Sequence, residues 1–258
     1  MANANPPERA AAERVVVVTG AARGLGQAIA SELATCSGAL LLVDVDEEPL
    51  ASVRNALAAE GHTVVAHVAD LTAPESVADV IALAETELGG ADVLINNAGI
   101  VEYAPFLETS RDLLRRLLEV DVEAVFLMTQ AFAASLRDRG RGGSVVNLGT
   151  IHALSGVGGT SAYAAAKGAI HALTRALAVE LAPHGIRVNT LALGPTMTER
   201  VRTALPEGLL ERRFKQIPLR RGAEPEEAAH AVAYLLDAAY ASGSELVLDG
   251  GFTVFGDA

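Results

Sequence analysis

The sequence contains one cysteine, Cys36, which excludes a disulfide framework and a metal site built on thiolates. Cys36 falls in an apolar helical pattern and is expected as a small core residue. The six histidines, at positions 62, 67, 152, 171, 184 and 230, show no H-x-x-x-H pair or other ligand spacing, so no catalytic metal is expected. No run approaches the roughly 18 uninterrupted apolar residues of a membrane helix, and residues 1–14 hold no apolar signal core. The expectation is a soluble, cytoplasmic chain with no membrane partner. Basic residues are the minority: 20 Lys and Arg against 32 Asp and Glu give a formal charge of −12. Nucleic-acid binding needs clustered cations, so that class is set aside and the acidic excess is read as dispersing charge. Pro/Gly/Ser-rich linkers, composition breaks and solenoid-period repeats are also lacking.

What remains is a chain of 258 residues, half of them apolar, which suffices for one large core. Residues 1–13 read as a mobile polar lead-in and 14–258 as a single domain. Short runs rich in Val, Ile and Leu occur at 15–19, 39–44, 63–68, 93–96, 144–148, 187–191 and 245–248. They are apolar on both faces, as strands of a parallel sheet covered on both sides are. Helical patterns at 25–36, 47–60, 74–88, 111–139, 161–183 and 225–239 separate them, with Pro74 and Pro225 where a first turn tolerates proline. A β-α-β-α succession implies right-handed crossovers and an α/β, doubly wound Rossmann fold with a seven-stranded, mostly or wholly parallel sheet. Segment 196–222 interrupts the rhythm; charged and helix-prone, it is placed to cover a site at the strand ends.

The first strand runs through Thr19-Gly20-Ala21-Ala22-Arg23-Gly24-Leu25-Gly26 into a helix. Glycines permit the tight turn and close backbone approach to a pyrophosphate, and the helix N-terminus offers N–H groups and positive dipole. The spacing is G-x-x-x-G-x-G rather than G-x-G-x-x-G. Asp44 ends the second strand, 18 residues past Gly26. A carboxylate there accepts from an adenosine ribose and repels a 2′-phosphate, favouring NAD. Arg23 argues for NADP, since a guanidinium pairs with that phosphate; Asp44 is weighted above it. Tyr163 and Lys167 are four apart and share a helix face. A neighbouring ammonium and an oxidised nicotinamide stabilise phenolate, so the Tyr163 pKa is expected to fall from about 10 toward the working pH.

Together, the 19–26 loop, Asn96-Asn97-Ala98-Gly99, Tyr163-Ala164-Ala165-Ala166-Lys167 and Leu248-Asp249-Gly250-Gly251 resemble the short, single-domain branch of the short-chain dehydrogenase/reductase family, over residues 15–251. The resemblance implies an NAD-dependent oxidoreductase, NADP being possible, that moves a hydride between nicotinamide and a secondary alcohol or ketone. It casts Tyr163 as general acid/base, with Lys167 also on the nicotinamide ribose. It places Gly20, Arg23, Gly24, Leu25 and Gly26 at the phosphates, Asp70 and Leu71 beside the adenine, and Asn97, Ala98 and Gly99 along the adenosine side. Gly194, Thr196 and Thr198 fall toward the nicotinamide carboxamide, and Asn189 matches a structural asparagine.

Three positions depart from the family pattern. Thr150, 13 residues before Tyr163, stands where a serine hydroxyl holds the substrate oxygen; it donates the same bond, with a methyl group that crowds the pocket. Asp121 stands at the catalytic asparagine, whose main-chain carbonyl holds a relay water. Leu193 replaces the proline before Gly194, with Pro195 after it. Glu102, Tyr103, His152 and Leu154 are expected to shape the substrate pocket. A homo-oligomer, a tetramer as in the family, is expected because 120–136 is apolar on nearly every face. A second reading is a nucleotide-binding protein with little catalysis, a sensor or assembly subunit. A third, a sugar-nucleotide epimerase or dehydratase, usually carries a longer substrate domain than this chain has room for.

Overall fold

A computed structural model describes residues 6–204 and 207–255. Among the described residues, seven strands form one wholly parallel sheet: β1 (Val15–Thr19), β2 (Ala39–Asp44), β3 (Val64–Val68), β4 (Val93–Asn96), β5 (Gly143–Thr150), β6 (Ile186–Leu193) and β7 (Glu245–Leu248). Their order is β3-β2-β1-β4-β5-β6-β7. The chain therefore winds one way from β1 and the other way from β4. At that switch point the connections leave in opposite directions and open a crevice at the C-terminal strand ends.

Alternation along each strand builds two cores. Val16, Val18, Leu40, Leu42 and Ile95 point to one face, under α1 (Gly24–Ala34), α2 (Glu47–Ala59) and α9 (Pro225–Asp237). Val15, Val17, Leu41, Leu94 and Val145 point to the other, under α3 (Ser76–Leu88), α5 (Ala124–Asp138) and α6 (Ser161–Glu180). Full burial of one such side chain is worth about 1.5–3 kcal/mol, so a polar residue in the interior needs a partner to be tolerated. Asn96 and Asn147, adjacent on β4 and β5, have one. Asn96 Nδ2 donates to Asn147 Oδ1 at 2.8 Å, and Asn147 Nδ2 donates to Thr174 Oγ1 on α6 at 2.9 Å. Thr190 of β6 donates to the same Thr174 hydroxyl at 2.7 Å. This buried chain fixes α6 in rotation against the sheet, which matters because α6 carries Tyr163 and Lys167.

Several boundaries differ from the expected ones. The helix expected over 111–139 is broken: α4 (Arg111–Leu118) gives way to a π-helical turn, Glu119–Glu123, before α5. The N–H of Ala124 reaches Glu119 O across five residues, and the widened turn carries Asp121. Cys36 is exposed, not a core residue, because α1 ends at Ala34 and Cys36 lies in the turn beyond its apolar stripe. Helix α3 starts at Ser76, so Pro74 precedes it. Segment 196–222 does form helices, α7 (Glu199–Ala204) and α8 (Glu207–Phe214).

Of the lead-in, residues 1–5 lie outside the described residues. From Pro6 onward it meets the N-terminal end of the sheet: Arg9 pairs with buried Asp92 at 3.0 Å, and Pro7 O accepts from Gly142 N–H at 3.2 Å. No helix among the described residues is long and apolar enough to cross a membrane.

Candidate active site

The glycine loop connects β1 to α1 at the switch point. Gly26 lets α1 approach the strand, since a Cβ there would lie 2.0 Å from Gly20 O. Gly20 and Gly24 adopt positive φ of 65° and 55°. The loop is pinned from β4: Asn97 Nδ2 donates to Thr19 O and Gly20 O at 2.9 and 2.8 Å, and Ala98 N–H donates to Thr19 Oγ1 at 3.0 Å. No side chain caps α1, so its leading N–H groups point from an uncapped N-terminus into the crevice. That arrangement fits a dinucleotide pyrophosphate.

Asp44 holds the other side of the loop. One carboxylate oxygen accepts from Ala22 N–H at 2.9 Å and the other from Asp46 N–H at 3.1 Å. Each oxygen keeps a lone pair for a ribose hydroxyl. Arg23, the residue that argued for NADP, instead pairs with Asp46 at 2.9 Å. Spacing alone does not single out Asp46 as its partner, though it lies two residues past Asp44 in the sequence. Asp70 is exposed and accepts from Thr72, beside half-buried Leu71. Thr196 bridges to Ala223, Gly194 packs against Asp249, and Thr198 packs against Gly24. The stretch expected at the carboxamide therefore adjoins the phosphate loop.

The chemistry-bearing residues collect past the ends of β4 and β5. Tyr163, Lys167, Thr150 and Asp121 are all buried. Lys167 Nζ lies 3.6 Å from Asp121 Oδ1 and donates to Leu148 O at 3.3 Å. An ammonium has three N–H donors, so one remains for a ligand. Asp121 Oδ1 also accepts from Ile100 N–H at 3.0 Å, while Oδ2 is buried without a hydrogen-bond partner among the described residues. Burial pushes the Asp121 carboxyl above the usual carboxylate range, opposed by the Lys167 ammonium and the Ile100 N–H. Gly99 is required here rather than at the adenosine side alone: a Cβ would lie 2.4 Å from Asp121 Oδ1 and 3.2 Å from Lys167 Nζ.

The Tyr163 hydroxyl runs against the expected direction. Burial raises its pKa, and Tyr103 and Asp121 raise it further; only a hydrogen bond with Thr150 lowers it. The main physical reason is burial, which disfavours the charged phenolate, and the nearby Asp121 carboxylate adds to it. Tyr163 is therefore protonated at neutral pH, the form that donates a proton.

Thr150 ends β5. Its hydroxyl accepts from His152 N–H at 3.3 Å and donates to Leu193 O at 3.4 Å, both long bonds. Tyr103, His152 and Tyr163 form a ring triangle with centroids 5.8–5.9 Å apart, which walls the site. Burial lowers the His152 pKa, and Arg213 of α8 lowers it further, so that helix acts electrostatically on this wall. Glu102 is turned away into an ion pair with Arg116 of α4, and Leu154 is exposed. Asn189 ties β6 to the approach to β7, through Ala241 O at 2.8 Å and Ser244 N–H at 3.0 Å.

A family model described as enoyl-(acyl carrier protein) reductase matches residues 20–253. The chain is 39% identical over 245 residues to cis-4-hydroxycyclohexanecarboxylate dehydrogenase of Sinomonas cyclohexanicum, covering 94% of this chain and 97% of that protein. It is 36% identical over 248 residues to cyclopentanol dehydrogenase of Comamonas sp., covering 93% and 97%. A solved structure of 7α-hydroxysteroid dehydrogenase, complexed with NADH and 7-oxo glycochenodeoxycholic acid, superimposes with a TM-score of 0.89 at 27% identity, covering 94% of this chain and 95% of that one.

Proposed function

From a chain that belongs to the short-chain dehydrogenase/reductase family, we propose an NAD-preferring dehydrogenase that interconverts a secondary alcohol and its ketone, with Tyr163 as general acid/base. The observation that carries this reading is the burial of Tyr163 and Lys167 on one face of α6, beside the Thr150 hydroxyl at the end of β5.

When bound, the nicotinamide supplies or accepts the hydride. The uncapped N-terminus of α1 receives the pyrophosphate, and Asp44 accepts from the adenosine ribose. Lys167 would hold the nicotinamide ribose through an N–H that is not given to Leu148 O. Thr150 donates to the substrate oxygen, and Tyr163 gives that oxygen a proton during reduction or removes one during oxidation. The main-chain carbonyl of Asp121, in the widened π turn, holds the relay water, while its carboxylate holds Lys167.

The relatives act on a hydroxycyclohexanecarboxylate and on cyclopentanol by their names, which points to an alcohol carried on an aliphatic ring. The test is a panel of cis-4-hydroxycyclohexanecarboxylate and cyclopentanol with NAD⁺, and their ketones with NADH. NADH binding without turnover of any panel member favours the non-catalytic reading instead.

Cofactor preference is expected to follow Asp44, since Arg23 is engaged by Asp46. The wild-type kcat/KM should be higher with NADH than with NADPH, and Asp44→Ala should relax the difference. A wild type that already favours NADPH overturns the assignment.

Asp121→Asn tests the carboxylate. If the main-chain carbonyl does the work, the rate near neutral pH stays within about tenfold, about 1.4 kcal/mol of barrier. Removing the charge also removes one cause of the raised Tyr163 pKa. The alkaline rise of alcohol oxidation, which reports the base form of Tyr163, should then move to lower pH. An unmoved profile shows that Asp121 does not act on Tyr163.

A homotetramer is part of the same reading. Phe126 and Leu127 of α5, with Leu114 and Leu118 of α4, are 37–44% exposed and apolar. Light scattering should give a mass of several protomers at micromolar concentration, and a stable monomer excludes it.

A further inference from the structure

His171 lies two helical turns past Tyr163 on α6, on the stripe shared with Lys167, and its ring is buried. Nδ1 is 2.9 Å from Glu245 Oε2 at the start of β7. A carboxylate only accepts, so Nδ1 carries the proton and Nε2 presents its lone pair. That lone pair accepts from Thr150 N–H at 3.4 Å. Gly149 makes room for the ring, since a Cβ there would lie 2.4 Å from His171 Nε2. Elements far apart in sequence thus meet at the backbone of the residue whose hydroxyl faces Tyr163. Neither the hydride step nor the proton step requires this contact.

We infer that His171, anchored by Glu245, is a positioning residue that holds the end of β5 so that the Thr150 hydroxyl is aimed at the reacting oxygen. The inference rests on the reading of Thr150 as the donor to that oxygen. The charged groups around the ring are Lys167 and Arg175 on its own helix and Glu245 from β7; Gly149 of β5 and Thr190 of β6 carry no charge. Burial lowers the His171 pKa, with Lys167 and Arg175 pushing the same way and Glu245 opposing. His171 is therefore neutral at pH 7. Protonation on acidification turns Nε2 into a donor facing the Thr150 N–H donor, and the bond is lost. Activity then falls on the acid side.

Ketone reduction with NADH is the direction to measure, because Tyr163 acts there as acid and limits only the alkaline side. The substrate is whichever of cyclopentanone and 4-oxocyclohexanecarboxylate turns over faster. NADH affinity, by fluorescence titration, and thermal melting are checked for each variant. His171→Leu cannot accept from Thr150 and should lower kcat by up to about 10²-fold, the scale of a misplaced catalytic group, with NADH affinity unchanged. His171→Gln offers a non-titrating acceptor; it should stay within about tenfold of wild type and lose the acid-side fall. Glu245→Gln removes the carboxylate that raises His171, so the fall should move to lower pH. If His171→Leu does not fold, the two glutamine variants decide through their pH profiles. Variants matching wild type in rate and pH profile, beside a crippled Thr150→Val, overturn this inference alone. An unimpaired Thr150→Val overturns the reading on which it rests.

Discussion

Tyr163→Phe is expected to lower kcat by about 10²–10⁴-fold, the range of general acid–base assistance, with NADH affinity nearly unchanged. The substitution removes one oxygen and little else. The ring stays in its edge-on contacts with Tyr103 and His152, and Lys167 keeps its bonds to Asp121 and Leu148 O. What disappears is the phenol placed beside Thr150 and held in its protonated form at neutral pH. Without it, the oxygen of the reacting carbon must find its proton from water, which the aromatic wall hinders. Steady-state rates in both directions, with NADH titrated separately, measure the effect. Retention of more than about half the wild-type rate lies well outside the range for a lost acid and would exclude Tyr163 from that role.

Thr150→Val should lower kcat/KM by about 10²-fold or more, as removal of a comparable oxyanion donor does. Valine keeps the shape and the β-branched stiffness of threonine, so the strand end has no steric reason to move. The loss is a hydroxyl whose present bonds, 3.3 Å from His152 N–H and 3.4 Å to Leu193 O, are long enough to be given up to a substrate oxygen. Thr150→Ser keeps the donor and should remain active. All three proteins are compared on one substrate, after confirming that each binds NADH. A silent Thr150→Val beside a crippled Asp121→Asn would reverse the assignment. The carboxylate beside Lys167, rather than the Thr150 hydroxyl, would then be the group that steadies the reacting oxygen.

The strands were the most legible part of the chain. Four of them, Val15–Thr19, Ala39–Asp44, Val93–Asn96 and Glu245–Leu248, begin and end where their apolar runs do. Strand β5 runs longer than its apolar run because neighbouring backbone, rather than side-chain hydropathy, extends it, while β6 takes in the apolar Ile186, Ala192 and Leu193 beyond 187–191. Gly149 and Thr150 pair with Ala192 and Leu193 in register. The broken helix around Asp121 was illegible for the opposite reason: apolar spacing continues through the π turn, and the change lies in backbone bonds such as Ala124 N–H to Glu119 O. Among the candidate site residues, Glu102 shows the limit of sequence proximity. It precedes Tyr103, yet its carboxylate is taken by Arg116.

The sequence by itself determined the order of elements, the parallel sheet, the glycine turn into α1 and the shared face of Tyr163 and Lys167. Each is a matter of spacing over a few residues, where helix and strand periods are dictated by backbone geometry. Tertiary structure alone decided the ionic character of the site. Asp121 meets Lys167 at 3.6 Å, Arg23 is taken up by Asp46, and Glu245 reaches His171 across 74 residues of sequence. Whether a carboxylate neutralises an ammonium depends on a few ångströms and on how much water lies between them. That separation, and the burial of Tyr163 that chiefly raises its pKa, are set when the helices pack on the sheet, and for this reason the direction of that pKa could be read only in the folded chain.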